Sequence, residues 1–367
     1  MFQPREFFEG MIRELRSKYG GVGNILAAVS GGVDSTTAAV ITYKALGDRV
    51  KPVFIDTGFM RLNEGAKVKE LLSSLIPIQL VDYSSRFYSR LQGLSDAEVK
   101  RKVFREVFYE VIKDLAMKYG CEYVVQGTIA PDWIETLGGI KTQHNVLTDE
   151  LLSRYGFKVI EPLRELYKDQ VRLVAKHLGI PDEIVYRQPF PGPGLLVRAV
   201  GAFSLEKLEV VRRATEVVEG YLSGRGISQY FPAVWEYDVV GEGRVCSDIC
   251  INYKIFSTKA TGVRGDRRVY RPIALIENPG NLDLTTAYKY FEDVEVSHVI
   301  LLLNDRGYGK YFISIRAVVT EDFMTADIYR PSYNELIELS RELIKISGVR
   351  AVGYDITPKP PATIEYE

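Results

Sequence analysis

The residues most able to do chemistry stand together in Ser30-Gly-Gly-Val-Asp-Ser-Thr36, between a short apolar run that ends at Val29 and a helix-period stretch. Gly31 and Gly32 let the backbone turn sharply and bare its N–H groups, and the positive end of the following helix dipole adds to their field. Ser30, Ser35 and Thr36 can donate hydroxyl hydrogen bonds. The seven residues Ser30, Gly31, Gly32, Val33, Asp34, Ser35 and Thr36 therefore read as a cradle for a pyrophosphate. A Walker A loop would carry a lysine before its last Ser or Thr, and Asp34 holds that place here. An acid inside an anion site calls for a bridging cation, which Mg2+ between Asp34 and a phosphate oxygen supplies. The competing reading is a glycine-rich turn of purely structural use. Two glycines, three hydroxyls and one acid at a strand-to-helix switch favour the ligand.

Other residues with chemical potential lie further along. Asp56 ends the second strand-like run, where an adenosine would lie on a doubly wound sheet, with Val53 placed to touch the base. Asp56 could equally cap the helix expected from Asn63. Asp132 and Glu135 follow the fourth run and could share a Mg2+, or be solvated loop acids. Gly138 and Gly139, then Lys141 and His144, read as a hinged lid that swings a cation over the phosphates. With three histidines in the chain, His144 is a poor metal-ligand candidate. The tail Lys359-Pro-Pro-Ala-Thr-Ile-Glu-Tyr-Glu367 is stiffened by two prolines, and its Lys359, Thr363 and Glu365 suit a phosphate plus a purine edge. Such a tail could also be a disordered end.

The elements that must position these residues alternate in the first half. Apolar runs at 24–29, 50–55, 76–81 and 122–126 read as buried strands, and 35–46, 63–75, 98–119 and 163–178 as helices. That is an α/β fold, a doubly wound and mostly parallel sheet. Gln188-Pro-Phe-Pro-Gly-Pro-Gly194 continues no regular element. We place the domain boundary there, with an ATP-binding domain at 1–190 and a smaller α+β domain at 191–367. In the latter, helices at 204–222 and 333–346 flank strand-like runs at 229–240, 269–276, 298–303, 311–319 and 352–356, which suggest an antiparallel sheet.

Composition bounds the function. The chain has 367 residues, 46% hydrophobic and 26% charged, with a net charge of −1, which suits two globular domains and gives no field for nucleic acid. No apolar run reaches the ~18 residues of a membrane span, and 1–23 lacks the apolar core of a signal peptide, so a cytoplasmic protein without membrane partner is expected. Three cysteines in unrelated settings argue against a disulfide framework and a zinc site.

The loop Ser30–Thr36 resembles the Ser-Gly-Gly-x-Asp-Ser signature of the N-type ATP pyrophosphatases, which cleave ATP between its α and β phosphates. The loop does not choose among their substrates. Further segments resemble GMP synthetase in particular: Asp56-Thr-Gly-Phe-Met-Arg-Leu-Asn-Glu64, Gln126-Gly-Thr-Ile-Ala-Pro-Asp132, Ile140-Lys-Thr-Gln-His-Asn-Val146, Arg187-Gln-Pro-Phe-Pro-Gly-Pro-Gly-Leu195, Gly262-Val-Arg-Gly-Asp-Arg-Arg-Val-Tyr270, Phe323-Met-Thr-Ala326 and the tail. They run nearly end to end.

The resemblance implies a carbon–nitrogen ligase that adenylylates xanthosine monophosphate (XMP) with ATP and aminates it with ammonia to give GMP. It assigns Lys141 to charge at the α-phosphate, Asp34 and Asp132 to Mg2+, and Gly192, Pro193, Arg268, Lys359, Thr363, Ile364 and Glu365 to XMP. It also implies a homodimer through the C-terminal domain. No cysteine has a glutaminase setting, so a separate glutamine amidotransferase subunit is expected to supply ammonia. The chain departs from the family in the lid, with Gln143 and Leu147 for a His and a Gly, and in an insertion near 272–311. Two other readings, a tRNA thiolase and a nucleotide-binding protein without turnover, share the loop. The first would call for a reactive cysteine pair and a basic surface, and an ATP–pyrophosphate exchange assay separates all three.

Overall fold

A computed structural model describes residues 2–132, 156–265, 267–277, 283–321 and 323–367. Glu135, Gly138, Gly139, Lys141, Gln143, His144 and Leu147, the expected lid among them, lie outside the described residues. The chain divides into two compact units, Met1–Arg90 with Val103–Gly192, and Leu91–Lys102 with Pro193–Glu367.

In the first unit, α1 (Pro4–Tyr19), β1 (Asn24–Ala28), α2 (Val33–Leu46), β2 (Val50–Asp56), α3 (Glu64–Leu71), β3 (Gln79–Asp82) and α4 (Ser84–Leu91) alternate. They are followed by α5 (Ala97–Tyr119), whose first turns belong to the second unit, then β4 (Cys121–Val125), β5 (Lys158–Ile160), α6 (Lys168–His177) and α7 (Asp182–Val185). The sheet order is β3-β2-β1-β4-β5, and every neighbour is parallel. Ile25, Leu26 and Ala27 of β1 are fully buried, as expected of a strand covered on both faces. Helix α2 is buried on most sides, so its Thr37 and Thr42 hydroxyls turn back to Val33 O (2.6 Å) and Ala38 O (2.8 Å). Strand order reverses between β1 and β4, which makes the carboxyl ends of those strands the switch point where such sheets bind ligands.

The second unit holds α8 (Leu205–Leu222), β6 (Gln229–Glu236), β7 (Val239–Cys246), β8 (Cys250–Arg264), β9 (Arg267–Ile276), α9 (Leu284–Lys289), β10 (His298–Asp305), β11 (Tyr311–Val319), β12 (Asp327–Ile328), α10 (Tyr333–Leu343) and β13 (Val349–Asp355). Its sheet runs β12-β11-β13-β10-β9-β8-β7, and β6 lies antiparallel along β11. The sheet is mixed, not antiparallel as the sequence suggested. β9 with β10 and β11 with β13 are parallel pairs, because α9 and α10 carry the chain back between them as crossovers. The core is aromatic: Trp235 packs on Phe312 and on Tyr366, with ring centroids 5.0 and 5.6 Å apart.

The segment 272–311, expected as an insertion, contains β10, the strand expected at 298–303, hydrogen-bonded on one edge to β9 and on the other to β13. One further feature departs from what the sequence suggested. Cys246 and Cys250 form a disulfide across the β7–β8 turn, their Cα atoms 4.1 Å apart, because hairpin register sets them opposite each other. Sequence spacing without that register gave no such sign.

Candidate active site

Helix α2 begins at Val33, so Asp34 and Ser35 sit in its first turn, where the dipole favours negative charge. Ser35 Oγ accepts from the Ser30 N–H (3.1 Å) and lies 2.9 Å from Ser30 Oγ, which ties the two ends of the loop together. Gly31 has φ +80°, and a Cβ there would fall 2.7 Å from Val68 Cγ2 and 3.0 Å from Arg187 Nη1. Glycine is thus required twice at one position.

Asp34 Oδ2 accepts from Lys168 Nζ at 2.5 Å. Asp34 Oδ1 is buried and has no partner among the described residues, and neither has the Thr36 hydroxyl. The loop lacks a lysine of its own, and the fold brings one from 134 residues later, on the first residue of α6. Sequence reading missed Lys168. It lay inside the helix expected at 163–178; the observed helix starts at Lys168, and the parallel pairing of β4 with β5 carries it back beside β1.

Around the loop, the half-buried Arg187 pairs with the buried Glu64: its Nη2 donates to Glu64 Oε2 at 2.7 Å and its Nη1 pairs with Oε1, while Nη1 reaches Gly31 O. Arg61 stacks 4.1 Å above the Phe190 ring. Residues 61–64 and 187–190, far apart in sequence, thus buttress one loop. Asp56 Oδ1 accepts from Gly58 N–H at 2.7 Å, closing a local turn and not a helix cap. Val53, expected to touch a base, is fully buried, and its carbonyl accepts from Val29 N–H at 2.8 Å. Its side chain builds the sheet interior and offers no surface. Asp132 Oδ2 accepts from Ile129 N–H at 3.0 Å, just beyond β4.

Gly127 lets this second loop pass the first. A Cβ on it would sit 2.6 Å from Ser35 N and 2.7 Å from Asp34 C, both backbone atoms that cannot swing aside. Gly127→Ala is therefore expected to displace the loop while sparing the sheet. Calorimetric titration should find pyrophosphate binding weakened by about tenfold or more, since small misplacements at such sites carry large losses. Unchanged affinity would show that the loop tolerates the shift.

In the second unit the tail is ordered. Lys359 exchanges backbone hydrogen bonds with Ala326 (2.8 and 2.9 Å), Val263 N–H donates to Pro361 O (2.6 Å), and Thr261 N–H donates to Tyr366 O (2.8 Å). The fully buried Arg316 fixes its shape, donating to Ile364 O (2.9 Å), Thr363 O (2.8 Å), Thr357 O (3.0 Å) and Asp355 Oδ2 (2.7 Å). Asp355 also meets His298 Nδ1 and Tyr366 OH, each at 2.7 Å. Burial alone would raise Asp355, but Arg316 and His298 outweigh it and hold the carboxyl far below the ordinary range.

The expected tail ligands divide. Ile364 packs into the aromatic core and Glu365 is taken by Arg198 (2.9 and 3.2 Å) and Gln229 (2.9 Å), so neither stands as an open contact. Thr363 Oγ1 donates to Thr261 O at 3.0 Å, and Lys359 Nζ donates to Phe323 O. Lys359 also borders a cleft of about 440 Å3 with Thr320, Glu321, Thr325, Asp327 and Pro358. Gly192 closes the first unit, and Pro193 precedes the buried 3-10 turn Gly194–Arg198 of the second.

Arg268 stands opposite Val263 in the β8–β9 hairpin, one strand from the tail. Its Nη1 donates to Glu98 Oε1 at 3.1 Å, and Tyr270 OH donates to the same oxygen at 2.7 Å. Burial and Glu98 push the Tyr270 hydroxyl up to about 12, so it stays protonated. Arg101, another residue the sequence reading missed, is lowered by burial and then by the charge of Arg268. Arg268 thus pairs with one partly exposed carboxylate, Glu98, whose charge Arg101 also feels.

Among the described residues no group of three or more His, Cys, Asp or Glu could by itself hold a metal ion, and no helix is long and apolar enough to cross a membrane. Residues 288–366 match the family described as GMP synthase C terminal domain. The chain is 50% identical to a subunit of GMP synthase (glutamine-hydrolyzing) from Saccharolobus solfataricus, each covered over 100% of its length. It is 47% identical to the subunit of the same name from Sulfurisphaera tokodaii, again over 100% of each, and 41% identical to that of Archaeoglobus fulgidus, over 99% of each.

Proposed function

The chain belongs to the family of synthetase subunits of GMP synthase (glutamine-hydrolyzing), and we propose from that membership how its residues divide the work of GMP synthesis. It is an ATP-using synthetase whose ammonia comes from a separate amidotransferase subunit. XMP attacks the α-phosphate of ATP through its xanthine O2, expelling pyrophosphate and leaving adenylyl-XMP. Ammonia then adds at C2 and AMP departs with the former O2, giving GMP. No protein nucleophile is needed, so catalysis consists of positioning and charge neutralisation.

The observation that carries the reading is the meeting of Lys168 and Asp34 at a loop of bare N–H groups and hydroxyls. The loop Ser30–Thr36 holds the β and γ phosphates, Lys168 neutralises charge on the departing pyrophosphate, and Asp56 stands at the adenosine edge. Mg2+ fits this donor set: Asp34 Oδ1 is a buried carboxylate oxygen without a described partner, and Mg2+ is ordinarily held by one or two carboxylates together with substrate phosphates. Asp34 and Asp132 would hold it, and when bound it supplies charge neutralisation at the phosphates. Lys141, outside the described residues, acts at the α-phosphate. Arg268 and Arg101 bind the XMP phosphate, and Lys359 and Thr363 approach the same nucleotide from the tail.

ATP–pyrophosphate exchange tests the assignment. Exchange is expected only when XMP is present, and equal exchange without XMP would refute it.

The ammonia route yields a second test. Cys246 and Cys250 are disulfide-bonded, and burial pushes the Cys121 thiol up to about 11, the opposite of an activated glutaminase nucleophile. Purified alone, the protein is expected to make GMP with ammonium salts and not with glutamine. Activity with glutamine alone would overturn the assignment of that step to a separate subunit. A homodimer through the second unit, where β7 ends the described sheet with an open edge, and a cytoplasmic location complete the proposal.

A further inference from the structure

Near the tail lies a buried charge cluster that the reaction does not use. Lys100, in the first turns of α5, is fully buried. Its Nζ donates to Ala199 O (3.0 Å) and Gly201 O (2.9 Å) and pairs with Glu367 Oε2. Glu367 is almost as deeply buried, and its Oε1 accepts from Gly201 N–H at 2.8 Å. Burial lowers Lys100 and raises Glu367 from their ordinary values, so the pair gains little over an apolar one. Stability is a weak reason for it.

Register is a better reason. Along the tail, Glu365 faces Arg198, Tyr366 enters the Asp355 cluster and Glu367 faces Lys100. A slip of one residue would take each of these side chains away from its partner. The same turns of α5 also carry Glu98, which meets Arg268, and Arg101. Lys100 therefore ties the tail to the very backbone that carries Glu98 and Arg101. We infer that Lys100, paired with Glu367, is a positioning residue for XMP, fixing tail register and the placement of Arg101 together. The inference rests on the reading that the tail and Arg268 receive XMP.

The test replaces the pair by apolar side chains, Lys100→Met with Glu367→Leu, and compares it with Glu367→Gln and with Lys359→Ala. In the double variant the thermal melt and the KM for ATP are expected near wild type, and the KM for XMP raised about tenfold or more. Glu367→Gln, nearly isosteric, should give the same split at smaller size and carries the test if the double variant fails to fold. A wild-type KM for XMP in these variants, while Lys359→Ala raises it, would overturn the role of Lys100 and leave the tail reading intact. If Lys359→Ala also leaves it unchanged, the tail reading fails and this inference with it. A parallel rise of both KM values with a lowered melt in both pair variants would make the pair merely structural.

Discussion

Asp34→Asn is expected to keep the melting temperature close to wild type and to slow pyrophosphate formation by about 10²- to 10³-fold, the size of loss seen when one charge-stabilising group is removed. The fold survives because Asp34 is a loop-edge residue whose only described side-chain bond is to Lys168. The rate falls for two linked reasons. The amide cannot hold Lys168 as an ion pair, and it offers Mg2+ a neutral oxygen in place of a carboxylate. Lys168→Met should show a loss of similar order. The double variant should be little worse than either single one, since residues acting as a unit are not additive. Pyrophosphate release measured across a Mg2+ titration checks both. A near-wild-type rate for Asp34→Asn at limiting Mg2+ would remove Asp34 from the metal–phosphate bridge.

Arg316→Met is expected to carry the largest loss of stability in the second unit, about 3–5 kcal/mol, because it leaves the Asp355 carboxylate buried without its cation. Four hydrogen bonds go with the guanidinium, two of them to the tail carbonyls of Thr363 and Ile364. The pH dependence has a definite sign. Asp355 has a folded value depressed below the unfolded ~3.9, so its pairing with Arg316 contributes in full above that value and is lost as pH falls toward the folded one. The stability gap between wild type and variant should therefore narrow as pH falls. It narrows first where the variant's Asp355, raised by burial once Arg316 is gone, takes up a proton, and further below about pH 4 where the wild-type pairing is lost. Urea unfolding followed at several pH values measures this. A gap that does not change in acid would show that Asp355 is not charged in the native protein.

The sheet of the first unit was legible because buried parallel strands read as continuous apolar runs, as in β1 and β2. The second unit was less so. β8, 15 residues long with little alternation in burial, left no period to detect. The tail prolines and family motifs pointed to the right segment, yet Ile364 and Glu365 prove to be occupied by core packing and by Arg198. A sequence lists charged groups without saying which have already found partners.

By itself the sequence determined the loop Ser30–Thr36, the doubly wound frame that carries it and the family, since local glycine, hydroxyl and apolar patterns specify turns, periods and burial. Only the tertiary structure decided that Lys168 meets Asp34 of that loop, that Glu98 meets Arg268, and that Arg316, Arg198 and Lys100 hold the tail. Each of these contacts joins residues dozens to hundreds of positions apart. Such pairings follow from strand order and crossover, and no local pattern encodes them.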